Sequence, residues 1–281
     1  MTLFVNALTH LDASYWDAKR GLVGASWHVD LTLDGELGED GMLFDFGEVK
    51  PWIKRVIDQG PDHTLLVPTK APGIDVQECA EGLCIKASLP WPMEVRAPRQ
   101  AFTLLPWTEI TPERLGEYIS EQLMKRPPPR VTRIGISLAE ERIEGAGYTY
   151  SHGLKQHAGN CQRIAHGHRS RLYIWRDGEL DEALAAQWSR GLVDIYLADQ
   201  ADVILPDDEF CRVAYTSAQG SFRIKLPRER VMIMPTTSTV ENIAKWLAER
   251  ISMLHGGDIR VQAFEGIGKG AIAQASQPRD D

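Results

Sequence analysis

Three things are scarce in this chain, and each scarcity removes a class of function. Basic residues are not in excess: 31 Lys and Arg stand against 39 Asp and Glu, a formal net charge of −8. Composition therefore does not supply the broad electropositive surface of a general nucleic-acid binder. No apolar run approaches the roughly 20 residues of a membrane helix, and the opening MTLFVNALTH has no basic segment leading into an apolar one. A soluble, cytoplasmic protein is the expectation, with neither nucleic acid nor membrane as partner. Cysteine is sparse: Cys79, Cys84, Cys161 and Cys211 are too few for a disulfide scaffold in 281 residues and read as reduced thiols. Cys79 and Cys84 have no His or further Cys nearby and read as spare. What is present is 43% hydrophobic residues, over a length suited to one large or two ordinary domains.

The chain contains two copies of one unit. EVRAPRQAFTLLPWTEITPERLGEYI (94–119) lies against FRIKLPRERVMIMPTTSTVENIAKWL (222–247): Pro-Arg, an apolar run, a second Pro at the same distance, then Thr-x-Glu opening a helix. Thr111 with Pro112 and Glu113 caps a helix continued by Leu115, Ile119 and Leu123, and Thr239 does the same for Ile243, Trp246 and Leu247. After each helix comes an alternating run that ends in an acid, Ile134 to Glu140 and Ile259 to Glu265, the pattern of a half-buried strand. Upstream, Val23-Gly24-Ala25 answers His166-Gly167-His168. Each copy reads strand, strand, helical segment, hairpin, helix, strand. The expected units are residues 1–144 and 145–281, divided near Gly145-Ala-Gly147.

The stretch CQRIAHGH, Cys161 to His168, concentrates soft ligands. His-x-His on a strand puts both imidazoles on one face. If Tyr148-Thr-Tyr-Ser-His152 pairs with the strand starting at His168, then His152, His166 and His168 converge. Three imidazoles with a vacant fourth position form the geometry of a catalytic zinc, which acts as a Lewis acid. Cys161 lies close but off the strand, where a nucleophile or acid–base thiol suits it better than a fourth ligand. His157 has no slot in this pattern. The bland alternative is a loop of solvated histidines among ordinary surface charges.

These residues together resemble the 6-pyruvoyl-tetrahydropterin synthase and 6-carboxytetrahydropterin synthase family. Its order appears in the second half as Tyr148-Thr-Tyr-Ser-His152, Cys161, His166-Gly-His168, Thr239-Val-Glu-Asn242 and Glu265. The first half resembles it through Gly41 to Lys50, Asp62-His63-x-x-Leu66, Thr111-Pro-Glu113 and Glu140. The resemblance covers most of the chain. It implies a zinc-dependent lyase acting on 7,8-dihydroneopterin triphosphate or a close relative, in queuosine or tetrahydrobiopterin biosynthesis. It also implies His152, His166 and His168 as zinc ligands, Cys161 as catalytic thiol, and Glu265 as anchor of the pterin's amino-pyrimidine edge. An Asp-His pair reaches that site from a neighbouring unit in the family. Thr239 joins the substrate-binding set through its Thr-x-Glu-Asn motif. The implied fold is α+β: two tandem tunnelling-fold units, each a four-stranded antiparallel sheet with two helices. Units of this kind close barrels, so a homotrimer forming a pseudo-hexamer is expected, with inserted hairpins around 75–106 and 210–235.

The halves depart from the family in opposite ways. Val23 and Ala25 stand where His-Gly-His belongs, with Tyr15 in the first His slot, and Val and Ala cannot ligate zinc; His10 and His28 read as surface or packing residues. The second half has no His between Asp177 and Pro235, and ELDEALAAQWSRGLVDIYLADQ, read as helical, occupies the place of the Asp-His pair. Asp62-His63 is the one such pair in the chain. One composite site per chain follows, with zinc, Cys161 and Glu265 from the second unit and Asp62 and His63 from the first. The alternative is a leftover turn in a chain that has lost the lyase step and serves as a non-catalytic zinc- and pterin- or purine-binding regulatory protein. Glu140 is either the anchor of a second, metal-free pocket or structural. Lys155, Arg163, Arg169 and Arg171 are candidates for holding phosphate. Four residues separate Cys161 from His166, a spacing that leaves open which of the two family products is made.

Overall fold

The computed structural model describes residues 1–204 and 207–277. The first half runs β1 (Thr2–Asp17), β2 (Gly21–Gly35), α1 (Phe46–Gln59), β3 (Leu65–Pro68), β4 (Ile74–Cys79), β5 (Gly82–Ala87), β6 (Met93–Ala97), β7 (Phe102–Leu105), α2 (Pro112–Met124) and β8 (Val131–Glu140). The second runs β9 (Gly147–His152), β10 (His166–Arg176), β11 (Glu179–Leu180), α3 (Glu182–Arg190), β12 (Val193–Asp199), β13 (Phe210–Ser217), β14 (Gly220–Pro227), β15 (Val231–Met234), α4 (Val240–His255), β16 (Gly257–Phe264) and β17 (Gly270–Gln277). No helix among the described residues is long and apolar enough to cross a membrane.

The helix starts follow local chemistry. The Thr111 hydroxyl accepts from the Arg114 amide and Pro112 opens α2, while the Thr239 hydroxyl accepts from the Asn242 amide at the start of α4. Leu115, Ile119 and Leu123 of α2, and Ile243, Leu247 and Ile251 of α4, are buried as helical spacing requires. The segment read as one helix from Glu179 to Gln200 divides instead. Helix α3 stops at Gly191, and Val193, Ile195 and Leu197 alternate into β12.

The α+β class with two helices in each half stands, but the sheets are larger than four strands and mixed. The first has the order β7-β3-β1-β2-β8 and the second β15-β12-β9-β10-β16-β17, with β11 beside β10. Their additional strands are parallel: β3 joins β1 and β7 joins β3, as β12 joins β9 and β15 joins β12. A helix precedes β3 and β12 in the chain, α1 and α3, and the inserted strands β4–β6 and β13–β14 precede β7 and β15; parallel addition needs a crossover of this length in each case. Of these two sheets, the second has four consecutive antiparallel strands, β9-β10-β16-β17. The first sheet has three, because the chain leaves β8 at Glu140 and begins β9 at Gly147.

The inserted hairpins do more than decorate each unit. They form one five-stranded sheet, β13-β14-β6-β5-β4, joined across the halves where Ile224 of β14 faces Val95 of β6. Beneath it lies a core shared by both halves, with Trp16, Leu65, Ile85 and Val95 from the first and Ile164, Tyr196, Val213 and Phe222 from the second. Each half also keeps a private core, Ile53, Leu115 and Ile136 in one and Leu172, Ile243 and Val261 in the other.

The two central hairpins approach closely. A Cβ at Gly24 would fall 2.1 Å from the Tyr150 carbonyl oxygen, and one at Gly167 would fall 2.8 Å from the Gly24 Cα. The hydroxyls of Ser14 and Ser151, which hold equivalent places on β1 and β9, hydrogen bond at 2.6 Å. The glycine shared by the two copies is thus a packing requirement of the crossing.

Candidate active site

Strand pairing fixes which residues correspond. On β9 and β10, His152 faces His166 and Tyr150 faces His168; on β1 and β2, Tyr15 faces Val23 and Ala13 faces Ala25. Tyr15, Val23 and Ala25 therefore occupy the places of His152, His166 and His168. The three histidines converge: one nitrogen of each lies within 4.8 Å of the others, and all three side chains are buried.

Their hydrogen bonds have the pattern of metal ligands. The His152 Nδ1 meets the carbonyl and hydroxyl oxygens of Ser238 at 3.0 Å, and the His166 Nδ1 meets the Arg163 carbonyl at 2.9 Å. Carbonyl acceptors hold the proton on Nδ1 and leave Nε2 as the lone-pair donor. Both Nε2 atoms are buried and have no hydrogen-bond partner among the described residues. A buried nitrogen without a partner is costly unless something absent from the chain itself satisfies it. Burial pushes the pKa of both rings well below the ordinary value, so they are neutral, the state that ligates. The residues present fit a metal of zinc's preferences.

The first half reaches this cluster. His63 lies 5.1 Å from His166 and 6.1 Å from His168, ring centre to ring centre. A second group of close ligand atoms, also within 4.8 Å of one another, joins His63, Cys161 and His166. Asp62 Oδ2 holds the His63 Nδ1 at 2.5 Å. Burial opposes protonation of this ring, but the bonds to Asp62 and to Cys161 outweigh it and raise its pKa to about 10. His63 is thus an imidazolium at neutral pH. Its backbone has φ of +52°, left-handed, and its amide is fixed by a 2.7 Å bond to the Asp12 carbonyl.

Cys161 sits in a short 3-10 turn between β9 and β10 and is partly exposed. Its carbonyl accepts from the Leu154 amide at 2.8 Å, and the flanking Gln162 and Ile164 carbonyls accept from the hydroxyls of Tyr215 and Tyr196 at 2.8 and 2.9 Å. Arg163, beside it, is buried and donates to the carbonyls of Asp62 and His63 at 3.3 and 3.5 Å. One guanidinium therefore ties the thiol's loop to the Asp62-His63 turn. Glu265 follows β16, partly exposed, with Oε1 3.9 Å from the His168 Nε2.

The remaining sequence candidates divide. Thr239 spends its hydroxyl on capping α4 but lies next to Ser238, which holds His152. Glu140, half exposed, is ion-paired with Arg169 at 3.3 Å. Arg169 alternates with His168 on β10, which places Glu140 on the opposite face from the histidines. The four cations expected to hold phosphate are all engaged: Lys155 with Asp202, Arg163 with backbone, Arg169 with Glu140, and Arg171 with Glu141. His157 is exposed, and His10 and His28 pack edge to face at 5.1 Å. All four cysteines are free thiols.

Asp12, Ser238 and Lys269 escaped the sequence reading. Asp12 is buried, with Oδ1 3.4 Å from the His168 Nδ1 and Oδ2 3.4 Å from the Lys269 Nζ, and it accepts a short bond from the Ser26 hydroxyl. Burial pushes its carboxyl up, but His168, Lys269 and Ser26 outweigh that and hold it below the usual carboxylate range. A lone acid in the middle of a strand carries no motif. The one available signal was its register partner, Ser26, on the same face of the hairpin.

A family model described as 6-pyruvoyl tetrahydropterin synthase matches the chain twice, at residues 5–150 and 142–274. A protein of Pyrococcus horikoshii with the provisional name 6-carboxy-5,6,7,8-tetrahydropterin synthase is 23% identical over 141 residues, which is 50% of this chain and 82% of that protein. One of the same provisional name from Pyrococcus abyssi is 25% identical over 135 residues, 47% of this chain and 76% of that protein. The crystal structure of 6-pyruvoyl tetrahydropterin synthase from Plasmodium vivax is similar at 22% identity and a TM-score of 0.43, over 51% of this chain and 93% of that one. The Plasmodium falciparum structure of the same description is similar at 21% and 0.40, over 50% and 90%.

Proposed function

Because the chain belongs to the 6-pyruvoyl tetrahydropterin synthase family, whose model matches both of its halves, we propose that it is a zinc-dependent pterin synthase of the lyase class. Its substrate is 7,8-dihydroneopterin triphosphate or a close relative, and it works at one composite site per chain. The observation that carries this reading is the meeting, inside one chain, of three buried histidines whose Nε2 atoms all lack a hydrogen-bond partner with Cys161 and the Asp62-His63 pair. Residues 1–144 and 145–281 are the two units. The consecutive antiparallel run β9-β10-β16-β17 supports a tunnelling-fold unit in the second. In the described residues the outer edges of β8 and β17 have no partner strand, which supports barrel closure between chains and hence the homotrimer.

His152, His166 and His168 would hold the zinc, which would supply Lewis-acid polarisation for the substrate's side-chain hydroxyls. Glu265, partly exposed at the edge of the cluster, accepts two N–H bonds from the amino-pyrimidine edge and so turns the substrate's side chain toward the histidines. Cys161, beside His63, accepts or shuttles the proton that leaves the side chain. The His63 Nδ1 is committed to Asp62, so its Nε2 exchanges protons with Cys161 and returns one on the other side. Burial of the ligands keeps bulk water from competing at that face.

Incubation of the zinc-loaded protein with dihydroneopterin triphosphate, followed by product mass analysis, tests the activity. A 6-pyruvoyl or 6-carboxy product supports it. Uptake of zinc and pterin without turnover replaces it with a binding role.

A further inference from the structure

The three histidines differ in what holds their second nitrogen. His152 and His166 are held from within the second unit, by Ser238 and by the Arg163 carbonyl. Among the described residues His168 has no hydrogen bond on either nitrogen, and the carboxylate that lies 3.4 Å from its Nδ1 is that of Asp12, a residue of the first unit. The same residue grips the proton-carrying pair through its backbone. The Asp12 amide donates to Asp62 Oδ1 at 3.0 Å, and the Asp12 carbonyl accepts from the His63 amide at 2.7 Å. One residue of β1 therefore contacts a candidate metal ligand with its side chain and both members of the Asp62-His63 pair with its main chain.

Pseudo-symmetry says which of these jobs belongs to the scaffold. The register that matches Ser14 with Ser151 matches Asp12 with Thr149, and pairing of β3 and β12 with these strands matches His63 with Asp194. Asp194 also has positive φ, +55°, and it too is gripped from the preceding strand: the Thr149 hydroxyl donates to its carboxylate at 2.7 Å and accepts from its amide at 2.9 Å. Holding the turn is thus common to both units. A carboxylate at that place is found only in the first, the unit that faces the histidines. Ser26 and Lys269 fix the carboxylate on its other sides. Asp12 Oδ1 is also where a Cβ on Gly266 would collide, at 2.6 Å, so the chain leaves no side chain at the residue after Glu265.

We propose that Asp12 is a positioning residue for the metal site, supplied by the unit that has no site of its own. Its carboxylate orients His168 with the proton on Nδ1 and Nε2 toward the metal, and its backbone sets the distance from that ligand to His63. This rests on the reading of His152, His166 and His168 as metal ligands. A carboxylate behind a ligating imidazole fixes the tautomer and strengthens the ligand, and removing such a partner costs about 10–100-fold in metal affinity.

The test compares zinc affinity, by chelator competition without substrate, in the wild-type chain and in Asp12→Asn, Asp12→Ala and Thr149→Ala. Both Asp12 variants are expected to bind zinc about 10–100-fold more weakly, and Thr149→Ala to bind as wild type. Equal affinity in Asp12→Asn overturns the proposal, and so does a wild-type chain that takes up no zinc. If the Asp12 variants do not fold, imidazole 15N spectra of the zinc-loaded wild-type chain decide: the His168 proton on Nδ1 supports the proposal, and metal on Nδ1 overturns it. Because no step uses a pterin, loss of affinity in a chain that turns over no pterin keeps this inference and removes the proposed activity instead.

Discussion

At the three places where β9 and β10 carry His152, His166 and His168, β1 and β2 carry Tyr15, Val23 and Ala25. Between them both copies keep the glycine, Gly167 and Gly24, and both keep the serine, Ser151 and Ser14, that bridge the crossing of the hairpins. The first unit therefore lacks the candidate ligands and keeps what packs. The turn before β3 and the irregular start of β12 show the reverse division: Asp62-His63 in the first unit, Val193-Asp194 in the second, with the later residue left-handed in each. Where His63 meets Cys161, Asp194 meets Arg20 in a two-bond ion pair at 2.8 and 2.9 Å. The comparison teaches that a backbone arrangement can persist in both copies while its chemistry persists in one, with each copy keeping a different part.

The comparison breaks most completely at the ligands. His166→Ala should take bound zinc from one per chain to none and turnover to background, whereas Val23→Ala should change neither; metal analysis reads both, and two zincs per wild-type chain would contradict the division. Next in size are the relay residues. His63→Ala and Cys161→Ser should each lower kcat by about 10²–10⁴-fold with zinc content intact, while Asp194→Ala should leave kcat as it is.

Titration gives a third contrast. The folded-state pKa of His63, about 10, lies above the ordinary value of 6.5. Its contribution to stability is thus fully present below about pH 6.5 and fades as pH rises toward 10. Denaturation of the metal-free chain at pH 6 and pH 9.5 should show that loss in wild type and a smaller one in Asp62→Asn. An equal loss in both would detach Asp62 from the effect. The smallest effect is expected at the counterpart pair. Arg20→Ala leaves the Asp194 carboxylate, 7% exposed, with Thr149 as its remaining side-chain partner. Because Arg20 is 45% exposed, the cost should be about 1–2 kcal/mol in a denaturant titration, with kcat unchanged.

The meeting of the three histidines was legible because it obeys short periods. His-x-His puts two imidazoles on one strand face, and Tyr148 to His152 alternates toward the third. The duplication was legible in its caps and prolines, Thr111 and Thr239 above all. Asp12, Arg163 and the β14–β6 pairing were not, because each is defined by what it meets in the other unit, and a single segment carries no record of that. The parallel strands β3 and β12 were missed for a different reason. The four residues of β3 are buried throughout and show no alternation, and the seven of β12 follow α3 so closely that they read as its continuation. Charge misled as well: the arginines near Cys161 looked available for phosphate, yet burial had already committed them to carbonyls and carboxylates.

The central claim is that one chain holds a whole site, its metal ligands and thiol in one unit and its proton pair in the other. Mixing settles it. Cys161→Ser and His63→Ala chains, each inactive alone, are unfolded together, refolded and assayed on dihydroneopterin triphosphate. A site made within one chain predicts no recovery, since every chain in the mixture lacks one part. Return of activity toward a quarter of the wild-type level would show that His63 of one chain serves Cys161 of another, and would contradict the account.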